Sequence, residues 1–269
     1  MFEFALSGIR SGLRGRSFQA VFVLGLVLIG VAYLSGNFSP RQPRTVTLDV
    51  GLSGLRFALV LLNLFWMQEL VAKEVDRKVV LFSLAYPVPR SAFLLGRLLS
   101  CFVLSLMAAA IMGLLLLLVV IASGGGYVQE YPVQLGAAYW LTICGLVLDA
   151  AVVSAFSMCI SALSTVGVLP FALGMAFAAG GKALGATLDY LAQGADGDTA
   201  MVNQLDPLLK AGQWLLPDLS RLDWRDWALY GLYPGGEAIA WGIVMAFSYV
   251  AMLSALAILV FFAQRVFLR

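Results

Sequence analysis

The sequence contains no histidine. That absence removes Ser/His and Cys/His nucleophilic schemes, imidazole metal ligation and a histidine pH switch. Three cysteines, Cys101, Cys144 and Cys159, are scattered through apolar runs with no C-x-x-C pair. They read as small packing hydrophobes and imply no disulfide framework. Charge is scarce as well: Asp, Glu, Lys and Arg make up 12% of the 269 residues, where a soluble domain carries roughly 25%. Too little polar surface remains to cover a water-soluble globule, which argues against a soluble enzyme and a disordered tail protein. Seventeen basic against fifteen acidic residues leave a net charge of +2. That balance argues against nucleic acid as a partner.

What is present is apolar. Hydrophobic residues make up 61% of the chain and the mean hydropathy is +0.93. The fold class read from this is an all-α polytopic membrane protein, with residues 1–269 forming one transmembrane domain. A bilayer core of roughly 30 Å takes about 20 apolar residues per helix. Backbone in lipid must bond within its own segment, so each such run is expected to be helical. Six runs qualify: 18–34, 52–71, 98–122, 137–163, 166–188 and 238–262. The first follows Arg10, Arg14 and Arg16 and imitates a signal peptide. It is longer than a usual signal core and no clear A-x-A site follows, so it reads as a retained span.

An even number of spans puts both termini on one side. Placing them inside gives the cytoplasmic face ten basic residues: Arg10, Arg14, Arg16, Lys73, Arg77, Lys78, Arg90, Arg97, Arg265 and Arg269. The other face then holds seven, namely Arg41, Arg44, Arg56, Lys182, Lys210, Arg221 and Arg225. The bias favours cytoplasmic termini in a bacterial inner membrane.

The segments between spans carry more information. Phe2, Leu6, Ile9 and Leu13 recur at helical spacing, with Glu3, Arg10 and Arg14 elsewhere around the wheel. Residues 1–17 thus read as an interfacial amphipathic helix. Residues 35–51, with Pro40 and Pro43, read as an irregular loop. A tight turn within 161–165 joins the fourth and fifth runs, and Pro170 predicts a kink in the fifth. The acidic stretch 189–237 holds clusters of Trp, Tyr and Leu. It predicts short helices resting on the outer membrane face, with Asp223 as the N-cap of the last.

Charged groups inside spans are expensive and are functional candidates by default. Asp149, thirteenth in the fourth run, lies near the midplane. It either faces a translocation path or, as the neutral acid, hydrogen-bonds a neighbouring helix. Arg56 is expected to snorkel and Glu69 to sit near the interface. Asn63, in mid-span, reads as interhelical glue. Gly181 and Gly185 permit close helix contact.

The strongest local feature lies between the second and third runs. Lys73, Glu74, Asp76, Arg77 and Lys78 form a cluster of both signs. An apolar stretch follows, then Pro87-Val88-Pro89-Arg90, then an apolar run through Gly96 and Arg97. Prolines push the residue before them out of the helical region, so Pro87 and Pro89 stop the first helix, and Ser91 is placed to cap the next. Residues 73–90 read as an amphipathic cytoplasmic segment beside the membrane.

This arrangement resembles the cytoplasmic signature of ABC-2-type ABC transporter permeases. The motif covers about 25 residues, Glu74 through Arg97, while the six spans, internal termini and amphipathic N-terminal helix match that family in architecture. The resemblance implies a permease subunit that moves a substrate across the inner membrane. Its coupling helix would seat in a separate ATPase subunit through Glu74, Asp76, Arg77, Lys78, Pro87 and Arg90. It also implies as partners ABC ATPase subunits, a second permease copy or homologue, and membrane lipid. The chain departs from the family at the turn between the fourth and fifth runs, where a second cytoplasmic contact is expected and no charged residue stands.

No P-loop is present. Gly180-Gly181-Lys182-Ala183 lacks both the first glycine at the required offset and the Ser/Thr after Lys. The expectation is therefore a non-enzymatic transport subunit with no cofactor of its own, ATP being bound by the partner. Two other readings compete. One is a non-transporting membrane scaffold that docks a cytoplasmic protein on the same loop. The other, a membrane-integral enzyme, lacks a histidine, a carboxylate pair within the spans and a reactive cysteine environment.

Overall fold

A computed structural model of the chain describes residues 2–39, 41–72, 90–124, 132–164, 166–192 and 216–263. The described residues contain helices and no strand. In chain order these are α1 (Phe2–Arg14), α2 (Arg16–Asn37), α3 (Pro43–Met67, running on into a π-helical turn Gln68–Ala72), α4 (Arg90–Ala122), α5 (Ala137–Leu163) and α6 (Leu169–Ala192). A 3-10 turn (Leu219–Leu222), α7 (Arg225–Tyr230) and α8 (Gly236–Ala263) complete them.

Five of these helices have stretches long and apolar enough to cross a bilayer: Phe18–Asn37, Pro43–Val71, Ser91–Ala122, Ala137–Leu163 and Gly236–Phe261. The chain is a polytopic helical membrane protein on that ground. The run expected at 166–188 does form a helix, α6, but its apolar part is the shorter Leu169–Gly185. The charge of Lys182 is what dilutes it.

Several boundaries differ from expectation for local reasons. The second run begins at Pro43, nine residues early, so the expected loop 35–51 shrinks to a short connection. Its polar residues hid the helix, yet they are satisfied: Thr47 Oγ1 donates to the Pro43 carbonyl at 2.8 Å. Pro43 opens α3 and Pro170 opens α6, where a missing N–H costs nothing. Pro170 therefore starts a helix and does not kink one. α4 already includes Arg90, which places Ser91 inside the first turn and not at the cap.

α2 and α3 form an antiparallel hairpin that packs on α4, and α5 lies against α3, α4, α6 and α8. The buried core runs along α3 and α5. Asn63 ties three helices together there. Its Oδ1 accepts from Ser105 Oγ of α4 and Ser154 Oγ of α5, each at 2.7 Å, and its amide donates to the Leu59 carbonyl at 2.9 Å.

α1 docks against the start of α4 by a seam other than the expected one. Ala5, Gly8 and Gly12 are buried, whereas Leu6 and Leu13 are exposed. Close approach is the reason: the small side requires no room, so Ser100 donates to the Ala5 carbonyl at 2.9 Å and Trp66 donates to the Gly12 carbonyl at 3.3 Å. A Cβ on Gly8 would stand 2.8 Å from the Ser100 Cβ.

Interhelical hydrogen bonds in membrane bundles average about 0.6 kcal/mol and reach roughly 1.7. Replacing Asn63 by Leu removes two of them, so the expected loss is about 1–2 kcal/mol. Reversible unfolding of the purified chain in mixed micelles measures it.

Candidate functional site

The candidate site forms at the end of the bundle opposite α1. Residues 217–224 do not rest on the surface there. Leu219, Leu222 and Trp224 are buried at 0%, 1% and 5% exposure. The segment enters between α5, α6 and α8, and each wall it meets is glycine. A Cβ on Gly145 would collide with the Leu222 carbonyl oxygen, and one on Gly242 would stand 3.0 Å from the Arg221 carbonyl. On α6, Cβ atoms at Gly181 and Gly185 would press on Leu219 and Ser220. Gly181 and Gly185 thus admit this segment and not another helix, and the expectation of surface helices is corrected for these residues.

Local chemistry shapes the insert. Asp218 opens the 3-10 turn by accepting from the Ser220 backbone N–H at 3.2 Å. The Trp224 carbonyl accepts from Thr142 Oγ1 of α5 at 3.0 Å. Gly231, at φ +72°, closes α7 in the left-handed region that glycine adopts without strain. The N-cap of α7 is Trp224, not Asp223.

Asp223 is committed elsewhere, to a network of buried charge. Arg56 of α3 reaches Asp149 of α5 (Nε to Oδ2, 2.7 Å) and Asp223 (Nη1 to Oδ2, 3.1 Å). Lys182 of α6 approaches the same Asp223 oxygen at 3.4 Å. Arg225 donates through Nε to Asp223 Oδ1 at 2.8 Å and through Nη1 to Asp49 Oδ1 at 3.1 Å and Ser53 Oγ at 3.0 Å. Three cations and three carboxylates, drawn from α3, α5, α6 and the inserted segment, balance to zero.

The network is deep. Arg56 is 8% exposed and Asp149 2%. At about 1.5 Å rise per residue, each lies roughly 18–20 Å from the near end of its helix. Arg56 therefore does not snorkel, as its sequence position predicts, but is held inside by two carboxylates. Asp149 faces Arg56. The contact is short but off the line that a hydrogen bond needs, so neither Asp149 oxygen has a hydrogen-bond donor among the described residues.

Asp223 is held below the usual carboxylate range. Burial alone would push it up; the hydrogen bond and charge of Arg225, with the charges of Arg56 and Lys182, more than offset that. Arg225 is correspondingly pushed up: burial opposes its charge, and the bonds and charges of Asp223 and Asp49 overcome it.

Of the residues singled out from the sequence, Asp149 falls within this network. Glu74, Asp76, Arg77, Lys78 and Pro87 lie outside the described residues, and of Arg90 only its place at the start of α4 is described. Reasoning from the sequence missed Arg56, Lys182, Asp223 and Arg225 as a set. No local motif joins them, and the available signal was that each is an ionisable residue in or beside an apolar run. Among the described residues no cluster of acidic residues and cysteines suited to a metal ion occurs. No protein-family model matches the chain, and no curated protein matches it in sequence.

Breaking one partner of a buried ion pair costs roughly 3–5 kcal/mol, because the other charge is stranded. Asp149→Asn is expected to destabilise the chain on that scale, and Asp149→Asn with Arg56→Gln by less than the sum of the two single changes. A double-mutant cycle of unfolding free energies measures this.

Acid should also loosen the insert. The folded pKa of Asp223 is lowered, so its contribution is fully present above the ordinary value of about 3.9 and is lost as pH falls through the folded value. Below about pH 4 the wild type should lose stability more steeply than Asp223→Asn. Unfolding midpoints compared between pH 3 and pH 7 check this, those two values being set on either side of the about 3.9 reference.

Proposed function

We propose that the chain is the permease subunit of an ABC transporter of the ABC-2 type. In this reading six helices cross the bacterial inner membrane, α6 being the fifth, with both termini in the cytoplasm. A separate ATPase binds and hydrolyses ATP, and two permease subunits, identical or homologous, form the pathway. The observation that carries the reading is the Glu74 to Arg97 element: a cluster of both charge signs, a Pro-Val-Pro-Arg break, and a helix entering the bundle.

The way this element joins the bundle supports the reading. Its last part is the first turns of α4. Arg97 donates to Ser7 Oγ of α1 at 3.3 Å, Ser100 donates to the Ala5 carbonyl, and Phe4 packs edge-on against Phe93 with ring centres 5.8 Å apart. α1 and the start of α4 therefore move as one body. A push delivered at residues 73–89 passes into α4 and, through Ser105 and Asn63, to α3 and α5. Mechanical work done by an ATPase needs such a rigid path, because interfaces and packed cores respond by switching and not by continuous yielding.

The test is co-purification with an ATPase encoded beside the gene, using Glu74→Ala, Asp76→Ala and Arg77→Ala. The expected result is weaker complex formation and a loss of coupled ATP hydrolysis of about tenfold or more, the scale of one lost charged contact at an interface. Unchanged assembly and hydrolysis in all three variants would refute the coupling role. A chain that still recruits the ATPase but never moves a substrate would support the scaffold reading instead.

A further inference from the structure

The inserted segment presents a zwitterion to its cleft. The Asp223 carboxylate and the Arg225 guanidinium are bridged at 2.8 Å and lie two residues apart. The fixed helices complement each half separately. Arg56 and Lys182 face the carboxylate, at 3.1 and 3.4 Å. Asp49 and Ser53 face the guanidinium, at 3.1 and 3.0 Å.

Were the segment withdrawn, Asp223 and Arg225 would leave together. The helices would then keep Arg56, Lys182 and Asp149 at depth. Asp49, two turns of α3 away from Arg56, would remain nearer the mouth at about 10 Å. The walls between would be bare glycine at Gly145, Gly181, Gly185 and Gly242. Asp149 keeps both oxygens without a hydrogen-bond donor even while the segment is seated. Lys182 is 45% exposed along its side chain, so the cleft is already open on one flank.

We propose that residues 217–225 are a strap that occupies, as an internal ligand, a binding site for a small zwitterionic group. That group carries a phosphate or carboxylate for Arg56 and Lys182, and an ammonium or guanidinium for Asp49 and Ser53. Strap and ligand compete: either one satisfies the buried charges, and neither can be seated while the other is. A zwitterion fits better than a simple anion because the fixed groups carry both signs in separate places. An empty cleft would strand Arg56 in apolar surroundings, so the strap keeps the site neutral until a ligand replaces it. This inference stands whether or not an ATPase drives the chain.

The test uses the full chain in nanodiscs of phosphatidylglycerol, with the three native cysteines replaced by alanine and Leu222→Cys as a probe. Leu222 is 1% exposed, so thiol labelling reports withdrawal of the strap. Soluble phosphoethanolamine is expected to raise the labelling rate saturably by about tenfold, within the usual range of coupling between competing sites. Nanodiscs of phosphatidylethanolamine ask whether a lipid headgroup supplies the same chemistry. Asp223→Asn should raise the rate without ligand, and Lys182→Gln should shift the phosphoethanolamine response to higher concentration. Ser220→Cys, a near-isosteric change on the same strap, repeats the measurement if the Leu222 variant folds poorly.

If Asp223→Asn labels as slowly as its parent, the strap is a fixed part of the fold and the proposal fails. If it opens but neither phosphoethanolamine nor the lipid changes the parent, the site is not one for zwitterions. An equal response to phosphate alone, or to ethanolamine alone, overturns the zwitterionic assignment in the same way.

Discussion

Arg56 sits where water cannot reach it, and much of the far half of the molecule is arranged around that fact. A guanidinium cannot shed its proton, so its charge has to be met in place. Asp149 meets it from α5 and Asp223 from the inserted segment. Holding two carboxylates against one cation creates a surplus of negative charge, which Lys182 and Arg225 remove. Arg225 in turn draws in Asp49. Each member is present because another would otherwise be stranded, and the insertion of residues 217–224 is the geometric consequence. Only glycine at positions 145, 181, 185 and 242 leaves room for a backbone to reach Arg56 from that side.

The spans were legible because hydrophobic length is a property of the local sequence. Every apolar run expected to be helical is helical over most of its length. Boundaries slipped where polar residues were satisfied within the helix, as at Thr47, or where a proline stood at a start and not an interior position, as at Pro170. The π-helical turn Gln68–Ala72, just before the charged cluster, left no sequence signal at all. Asn63 was readable as glue because a lone amide in an apolar run has few other uses.

The charge cluster was only half legible. Asp149 stood out because it lies in the middle of a span. Arg56 did not, because its distance from the expected span end invited a snorkelling explanation. That distance was wrong: α3 extends to Pro43, which moves Arg56 from the edge to the interior. Asp223 read as a helix cap for the same kind of reason. Pairing across more than a hundred residues is set by tertiary packing, and nothing in a single sequence announces which acid will meet which base. On α1 the apolar stripe was visible, but the seam it buries is made of alanine and glycine, which hydrophobic patterning gives little weight.

The chain order of the cluster has a consequence for biogenesis. Arg56 belongs to the second long helix of the chain, while its first partner arrives with α5. At usual synthesis rates of about 5–20 residues per second, the ribosome needs roughly 5–20 s to make the intervening chain. During that interval α3 carries an unmatched cation. It must wait at the insertion machinery, near a headgroup phosphate, or against another protein until Asp149 emerges. The third participant, Asp223, comes later still. Assembly of the bundle is thus ordered in time by electrostatics, with the last step, seating of residues 217–224, completing a charge balance begun when the second helix was made.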